Sequence, residues 1–186
     1  VPGATFRIDA NGGYRADEAL ALLDECARVG LHIECFEQPC ARDDLDGMAQ
    51  VTARDATPVI ADESVRDLAD LDRVLTRRAA HGINIKLVKT GGPLRALALA
   101  RAARFHGMKL MVGAMVETRL GITTMAHAVT AMGGADYIDL DTAFLLAEDP
   151  FIGGYRAAGD RLDLDPFAAC ALRANFSPWT DDVSDR

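Results

Sequence analysis

The chain has 186 residues, 49% hydrophobic and 26% charged, with a formal net charge of −8 and a pI near 4.9. An acidic chain without a basic stripe is a poor partner for nucleic acid, and no apolar run approaches the roughly 18 residues of a membrane span. Its length and apolar content suffice for one domain with a sizeable core.

Strand-like and helix-like segments alternate along the chain. Thr5-Phe6-Arg7-Ile8 is a strand-like run closed by Asp9, and residues 16–29 carry Leu20, Leu23 and Ala27 on one helical face, with Gly30 as the stop. His32-Ile33-Glu34-Cys35-Phe36 ends at Glu37, and Leu45, Met48, Ala49 and Thr52 suggest a short helix after it. Pro58-Val59-Ile60-Ala61 ends at Asp62, and Ser64 is placed to cap a helix whose face is Leu68, Leu71, Val74 and Leu75. Ile83-Asn84-Ile85 ends at Lys86. Pro93 then opens a helix carrying Leu94, Leu97, Ala98, Arg101 and Phe105, stopped by Gly107. A strand over 109–112 before Gly113, a helix over 122–132 and a strand over 137–140 before Asp141 complete the series. After Pro150 the pattern changes: Gly153-Gly154-Tyr155 and Ala158-Gly159-Asp160 read as turns around short extended pieces, and the polar residues 177–186 as a frayed end.

The strand ends recur near 9, 37, 62, 86, 113 and 139, at intervals of 28, 25, 24, 27 and 26 residues. Each interval suits one strand plus one returning helix, which implies parallel strands with right-handed crossovers. Six consecutive units favour an α/β fold of the (β/α) barrel kind. A doubly wound sheet is the alternative, but no G-x-G-x-x-G opens the first turn. A complete barrel has eight units in about 250 residues, so the expectation is an incomplete barrel over 1–152 and a C-terminal extension over 153–186. An open sheet of this kind exposes two edges and apolar surface, which favours association of a half-barrel with itself or a partner; the intact protein is expected to be a homo-oligomer.

Of the four cysteines, Cys26 and Cys35 fall in apolar stretches and no C-x-x-C pair occurs. With Cys40 and Cys170 they read as free thiols in a reduced, cytoplasmic setting. Val1-Pro2-Gly3-Ala4 does not read as a signal peptide.

Barrels carry their active residues at the C-terminal ends of the strands, where Asp9, Glu37, Asp62 and Lys86 fall. Three crowded carboxylates repel unless a cation neutralises them. Mg²⁺ accepts a few carboxylates while keeping room for water and substrate oxygen. Three unrelated capping or surface acids are the plainer reading of each residue taken singly. A partly desolvated Lys86 beside a metal is expected to have a lowered pKa and to act as a base. Lys89 is expected to point elsewhere and to play a supporting part. Lys89-Thr90-Gly91-Gly92 has the ingredients of a phosphate loop in the wrong order.

Asp9-Ala10-Asn11, Glu37-Gln38-Pro39, Asp62-Glu63-Ser64 and the run from Asn84 through Lys86 and Lys89 to Gly92 closely resemble the enolase superfamily, and most of all its muconate-lactonizing subgroup. The resemblance runs from about Asp9 to Gly154. It implies that Asp9, Glu37 and Asp62 are Mg²⁺ ligands at the ends of barrel strands three, four and five. It also implies that Lys86 is the acid/base lysine of strand six, with Asn11, Glu63 and Lys89 supporting these groups. The family removes a proton α to a carboxylate and stabilises the resulting enediolate on the metal, chemistry that a cation and a lysine are suited to perform. Gly113-Ala114-Met115-Val116-Glu117-Thr118 carries no histidine, unlike the mandelate-racemase branch; all four histidines lie outside a catalytic pattern. Glu117 either orients substrate or caps the next helix. Asp139-Leu140-Asp141 resembles the D-x-D motif of dipeptide epimerases, in which both acids bind the substrate's α-ammonium group. Strand alternation would put them on one face.

The family's K-x-K motif on barrel strand two and its capping domain have no counterpart in this chain, and the stretch from Leu162 to Cys170 departs from the family pattern. Epimerisation with two bases needs one on each face of the α-carbon. The expectation is therefore that the intact protein is a dipeptide epimerase and that this chain alone turns over nothing. Two other readings are a different activity of the subgroup (cycloisomerase, N-acylamino acid racemase or o-succinylbenzoate synthase) and a non-catalytic half-barrel.

Overall fold

The computed structural model describes residues 3–54, 56–164 and 173–174. The chain alternates β1 (Thr5–Asp9), α1 (Ala16–Arg28), β2 (His32–Glu37), α2 (Leu45–Arg54), β3 (Val59–Ala61), α3 (Leu68–Arg77) and β4 (Gly82–Lys86). It continues with the single turn α4 (Leu87–Thr90), then α5 (Pro93–Phe105), β5 (Lys109–Gly113), α6 (Arg119–Ala131) and β6 (Tyr137–Asp139). A 3-10 turn over Thr142–Leu145 leads to four short strands: β7 (Phe151–Ile152), β8 (Arg156–Ala158), β9 (Arg161–Asp163) and β10 (Arg173–Ala174).

Strands β1 to β6 form one parallel sheet in which every strand lies beside its neighbour in sequence. Alternation along the strands sorts their side chains onto two faces. Phe36, Val59, Ala61, Ile83, Ile85, Leu110 and Val112 belong to the large core with the helices. Cys35, Ile60, Met111 and Tyr137 form a separate apolar cluster on the other face, with no helical residue in it. Helices therefore cover one face only, as in a barrel wall, and the doubly wound alternative is excluded.

The sheet curls about that inner cluster. Arg7 Nη1 on β1 donates to Ile138 O on β6 at 3.1 Å, and its guanidinium lies 5.3 Å from the centre of the Tyr137 ring. Tyr137 Oη stands 3.5 Å from Glu34 O on β2. A side chain of the first strand thus reaches the last across the concave side, and the six strands make a half-barrel. Gly82 lets β4 sit closely between its neighbours at the floor, because a Cβ there would stand 2.7 Å from Lys109 O on β5 and 2.8 Å from Ile60 Cδ1 on β3.

Several local expectations change. Asp67, not Ser64, caps α3, accepting from the Asp70 N–H at 2.9 Å. The buried side of α5 is Ala96, Leu99, Ala100 and Ala103, whereas Leu94 and Phe105 are 81% and 86% exposed. Alanine lets that helix approach the sheet, so the bulky residues mark the wrong face. Likewise α1 buries Ala19, Leu23 and Cys26, with Leu20 partly buried against the same core and Ala27 exposed. Helix α6 starts at Arg119, three residues before the expected start. Cys26, Cys35 and Cys40 are buried free thiols, and burial pushes Cys35 and Cys40 up to about 11. Cys170, most of the departing stretch before it and residues 177–186 lie outside the described residues. Among the described residues no helix is long and apolar enough to cross a membrane.

The residues after 150 are tied to α6 by Arg119. Its backbone N–H donates to Asp149 Oδ2 at 2.7 Å, and its guanidinium donates to Gly153 O at 2.9 Å and Tyr155 O at 2.5 Å while lying over the Tyr155 ring at 4.1 Å. Replacing Arg119 by Ala should cost about 2 kcal/mol and speed amide exchange around Gly153 to Tyr155. Hydrogen exchange followed by mass spectrometry would show it, and unchanged protection there would contradict this anchoring role.

Candidate functional site

The C-terminal ends of β1 to β6 form one rim. Asp9 and Glu37 are register partners at the ends of β1 and β2. Asp9 is exposed and accepts from the Asn11 N–H at 2.9 Å, in a turn that holds Asn11 at φ +47°. Glu37 is buried, and its Oε1 accepts from Asn84 Nδ2 at 2.6 Å. Burial pushes the Glu37 carboxyl up to about 7; the Asn84 bond opposes this, and the charges of Asp62 and Asp9 add to it.

Asp62 follows β3 and is 3% exposed. Lys86 Nζ lies 2.6 Å from its Oδ2, and Lys89 Nζ closes on its Oδ1. Lys89 also donates to Asp62 O and to Asn84 O, each at 2.7 Å, so three acceptors surround one ammonium group. Burial works to raise the Asp62 pKa, but Lys89 and Lys86 outweigh it and hold the carboxyl below its ordinary range. Burial alone would lower Lys86; the Asp62 bond and the surrounding carboxylates raise it instead. The lowering expected of Lys86 beside a metal is therefore not produced by the protein's own groups alone. It is Lys89 that burial lowers.

The expectation that Lys89 points away from Lys86 is also corrected. The strand ends at Lys86 and the chain turns helical over Leu87–Thr90, so Lys89 swings back onto the same carboxylate. Gly91, at φ +79°, closes that turn.

Gln38 fixes the Asp62 backbone, a role the sequence reading did not assign. Its Oε1 accepts from the N–H groups of Asp62 (2.8 Å) and Ser64 (3.3 Å), and its Nε2 donates to Cys40 O (2.9 Å) and Ser64 Oγ (2.8 Å). A fully buried amide at φ +36°, uncommon for a non-glycine residue, is held by these bonds. Its one sequence signal is a polar residue between Glu37 and Pro39 at the end of a buried strand. Glu63 beside Asp62 has its pKa raised, chiefly by burial, and its Oε2 has no hydrogen-bond partner among the described residues.

Across the lumen, register puts Lys86, Gly113 and Asp139 in one row over β4, β5 and β6. Asp139 ends β6, and Asp141 already lies in a helical conformation at the start of the 3-10 turn. Strand alternation therefore does not extend to Asp141; a turn sets its position instead. Burial raises the Asp139 pKa, followed by the charge and hydrogen bond of Asp141. Thr142 Oγ1 donates to Met115 O at 2.6 Å and joins this turn to the loop after β5. Glu117 folds back to accept from the Met115 N–H at 3.2 Å, so it does not cap α6; Asp149 serves that helix end.

Among the described residues no three His, Cys, Asp or Glu side chains converge closely enough to hold a metal ion. Asp9 is turned toward Asn11, and Asp62 toward its two lysines. The donor chemistry nevertheless fits a hard divalent cation. Asp9, Glu37 and Asp62 offer carboxylate oxygens from adjacent strand ends, and their mutual charge contributes to the raised Glu37 pKa, which a cation would relieve.

A family model described as enolase C-terminal domain-like matches residues 1–165. The chain is 43% identical over 166 residues to an aromatic dipeptide epimerase of Herpetosiphon aurantiacus, covering 88% of this chain and 46% of that protein. It is 40% identical to the L-Ala-D/L-Glu epimerase of Bacillus subtilis, covering 86% and 43%. The solved structure of a dipeptide epimerase from Enterococcus faecalis, complexed with Mg and the dipeptide L-Leu-L-Tyr, superimposes with a TM-score of 0.85 at 33% identity, covering 92% of this chain and 49% of that one. The chain spans a little under half the length of the curated relatives it matches.

Two outcomes follow from the buried charges. Lys89→Met leaves Asp62 and two carbonyls short of a partner and should cost about 3–5 kcal/mol; adding Asp62→Asn should recover part of this, as read by urea unfolding. With a chelator present, Glu37 keeps a proton up to about pH 7, whereas the unfolded chain loses it near pH ~4.3. The folded state then binds the extra proton between those values, so this group's contribution falls as pH rises through the window and levels off above it. Glu37→Gln should flatten that limb of the urea-midpoint profile; an unchanged profile would refute the assignment.

Proposed function

Because the chain belongs to the enolase C-terminal domain-like family, we propose that the intact protein is a Mg²⁺-dependent epimerase of dipeptides and that this chain carries its acid/base lysine, Lys86. The observation that carries the reading is the row Lys86–Gly113–Asp139, which sets an ammonium and an acidic pair on either side of a position without a side chain. Two strand spacings separate the row's ends by about 10 Å. In a dipeptide, the N-terminal nitrogen and the second α-carbon lie about 5 Å apart, which leaves the balance for the reach of Lys86 and Asp139.

In this reading Asp9, Glu37 and Asp62 hold Mg²⁺. When bound, the cation supplies positive charge where the substrate carboxylate gains negative charge as the α-proton leaves. Once Asp62 is engaged elsewhere, Lys86 leaves it, gives its own proton to solvent, and as the neutral amine takes the α-proton at Nζ. Asp139 and Asp141 receive the α-ammonium group, whose charge relieves their mutual repulsion. Lys89 keeps Asp62 in place when Lys86 moves, Asn11 and Glu63 flank the ligand carboxylates, and Glu117 borders the substrate on the β5 side. Residues 1–152 form the catalytic part, residues 153–186 are an appended extension, and the opposite base comes from outside this chain. A substrate with a neutral or acylated amino end would leave Asp139 and Asp141 without a partner, which disfavours the other activities of the subgroup.

The test is turnover of L-Ala-L-Glu and apolar dipeptides by the intact protein in D₂O, followed by NMR at the α-carbon. Epimerisation with solvent deuterium incorporation is expected, and Asp139→Asn with Asp141→Asn should lower kcat/KM by at least about 100-fold. Equal turnover of N-acetylated dipeptides, or indifference to the double substitution, would sink the reading.

A further inference from the structure

Gly113 ends β5 without a positive φ, so its backbone does not require glycine. The requirement is spatial. A Cβ at this position would stand 2.8 Å from Asn84 Nδ2, 2.9 Å from Asn84 Oδ1 and 3.1 Å from Lys86 Cε, distances at which repulsion forces a neighbour to move. Gly82 makes an instructive contrast, since a Cβ there would meet the Lys109 backbone and the Ile60 side chain. That glycine serves wall packing, whereas the nearest atoms to a Cβ at Gly113 all belong to side chains of the rim.

Asn84 is 1% exposed. Its Nδ2 donates to Glu37 Oε1 at 2.6 Å, and its Oδ1 has no partner among the described residues. The amide plane is therefore held by the Glu37 bond on one side and by the bare backbone of Gly113 on the other. The stem of Lys86 crosses the same space on its way to Asp62.

We infer that Gly113 and Asn84 form a positioning pair, in which the missing side chain at 113 houses the Asn84 amide, the amide orients the Glu37 carboxylate, and the same space gives Lys86 its path to Asp62. The inference rests on the reading of Glu37 as a Mg²⁺ ligand. Hydrogen-bond partners of a metal ligand fix its orientation, and losing one costs about 10–100-fold in affinity.

The test is a double-mutant cycle on the intact protein with Gly113→Ala, Asn84→Ala and both together, reading Mg²⁺ affinity by calorimetry and the melting midpoint in a chelator. Each single substitution should weaken Mg²⁺ binding by about 10–100-fold. The double should bind no more weakly than Asn84→Ala alone, since no amide is left to displace and the flexible Lys86 stem can shift into the space the amide vacates. Gly113→Ala should lower the midpoint in the natural background and not in the Asn84→Ala background. Additive effects in both readouts, or a Gly113→Ala variant indistinguishable from the natural protein, would overturn the inference. A natural protein that binds no Mg²⁺ would refute the ligand reading; the melting cycle would still decide the pair, with coupling supporting it and additivity overturning it. If Gly113→Ala fails to fold, restored folding in the double supports the pair and continued failure overturns it.

Discussion

Asp62 keeps its charge in the protein interior because two ammonium groups close on it. A buried carboxylate is costly to desolvate and tolerable only when its oxygens are fully satisfied. Here the satisfaction comes from three elements at once: Lys86 at the end of β4, Lys89 on the single turn α4, and Gln38 after β2, which binds the Asp62 backbone. The ends of three adjacent strands are thereby locked to one carboxylate. The positions of Glu37 and Asn84 follow, because Asn84 lends Lys89 its carbonyl and Glu37 its amide.

The curled sheet places this knot where a ligand can reach it. Alternation sends the helix-facing side chains into the large core and leaves a narrow inner row of Cys35, Ile60, Met111 and Tyr137 beneath the rim. Arg7 spans the concave side from β1 to β6 and pairs with Glu34 at 2.6 Å, so Asp9 and Asp139 stand above one common strut. Charge at the rim is thus carried on a closely packed floor, and residues far apart in sequence share one local environment.

Much of this was legible in the sequence, because one βα unit occupies nearly the same length each time and every unit but the one closed by Gly113 ends on a charged residue. The parallel order, the half-barrel and the rim positions of Asp9, Glu37, Asp62 and Lys86 follow from that period. What escaped was decided by short-range geometry. Lys89 turns back because one helical turn interrupts the strand rhythm, a feature too short to carry a periodic signal. Asp141 reaches Asp139 through a turn rather than along a strand. The packing face of α5 is made of alanines, which apolar bulk does not reveal. Gln38 and Arg7 act through bonds to partners that only the folded chain brings near.

If the three rim carboxylates accept one divalent cation, Lys86 must give up Asp62 when they do. A crystal structure of the intact protein with Mn²⁺ in place of Mg²⁺ tests it most directly, since anomalous scattering locates the ion. One peak is expected about 2.1 Å from oxygens of Asp9, Glu37 and Asp62, with Lys89 still on Asp62 and Lys86 turned into the lumen toward Asp139. A rim without a peak at saturating metal, or an ion held by other residues while both lysines stay on Asp62, would contradict it.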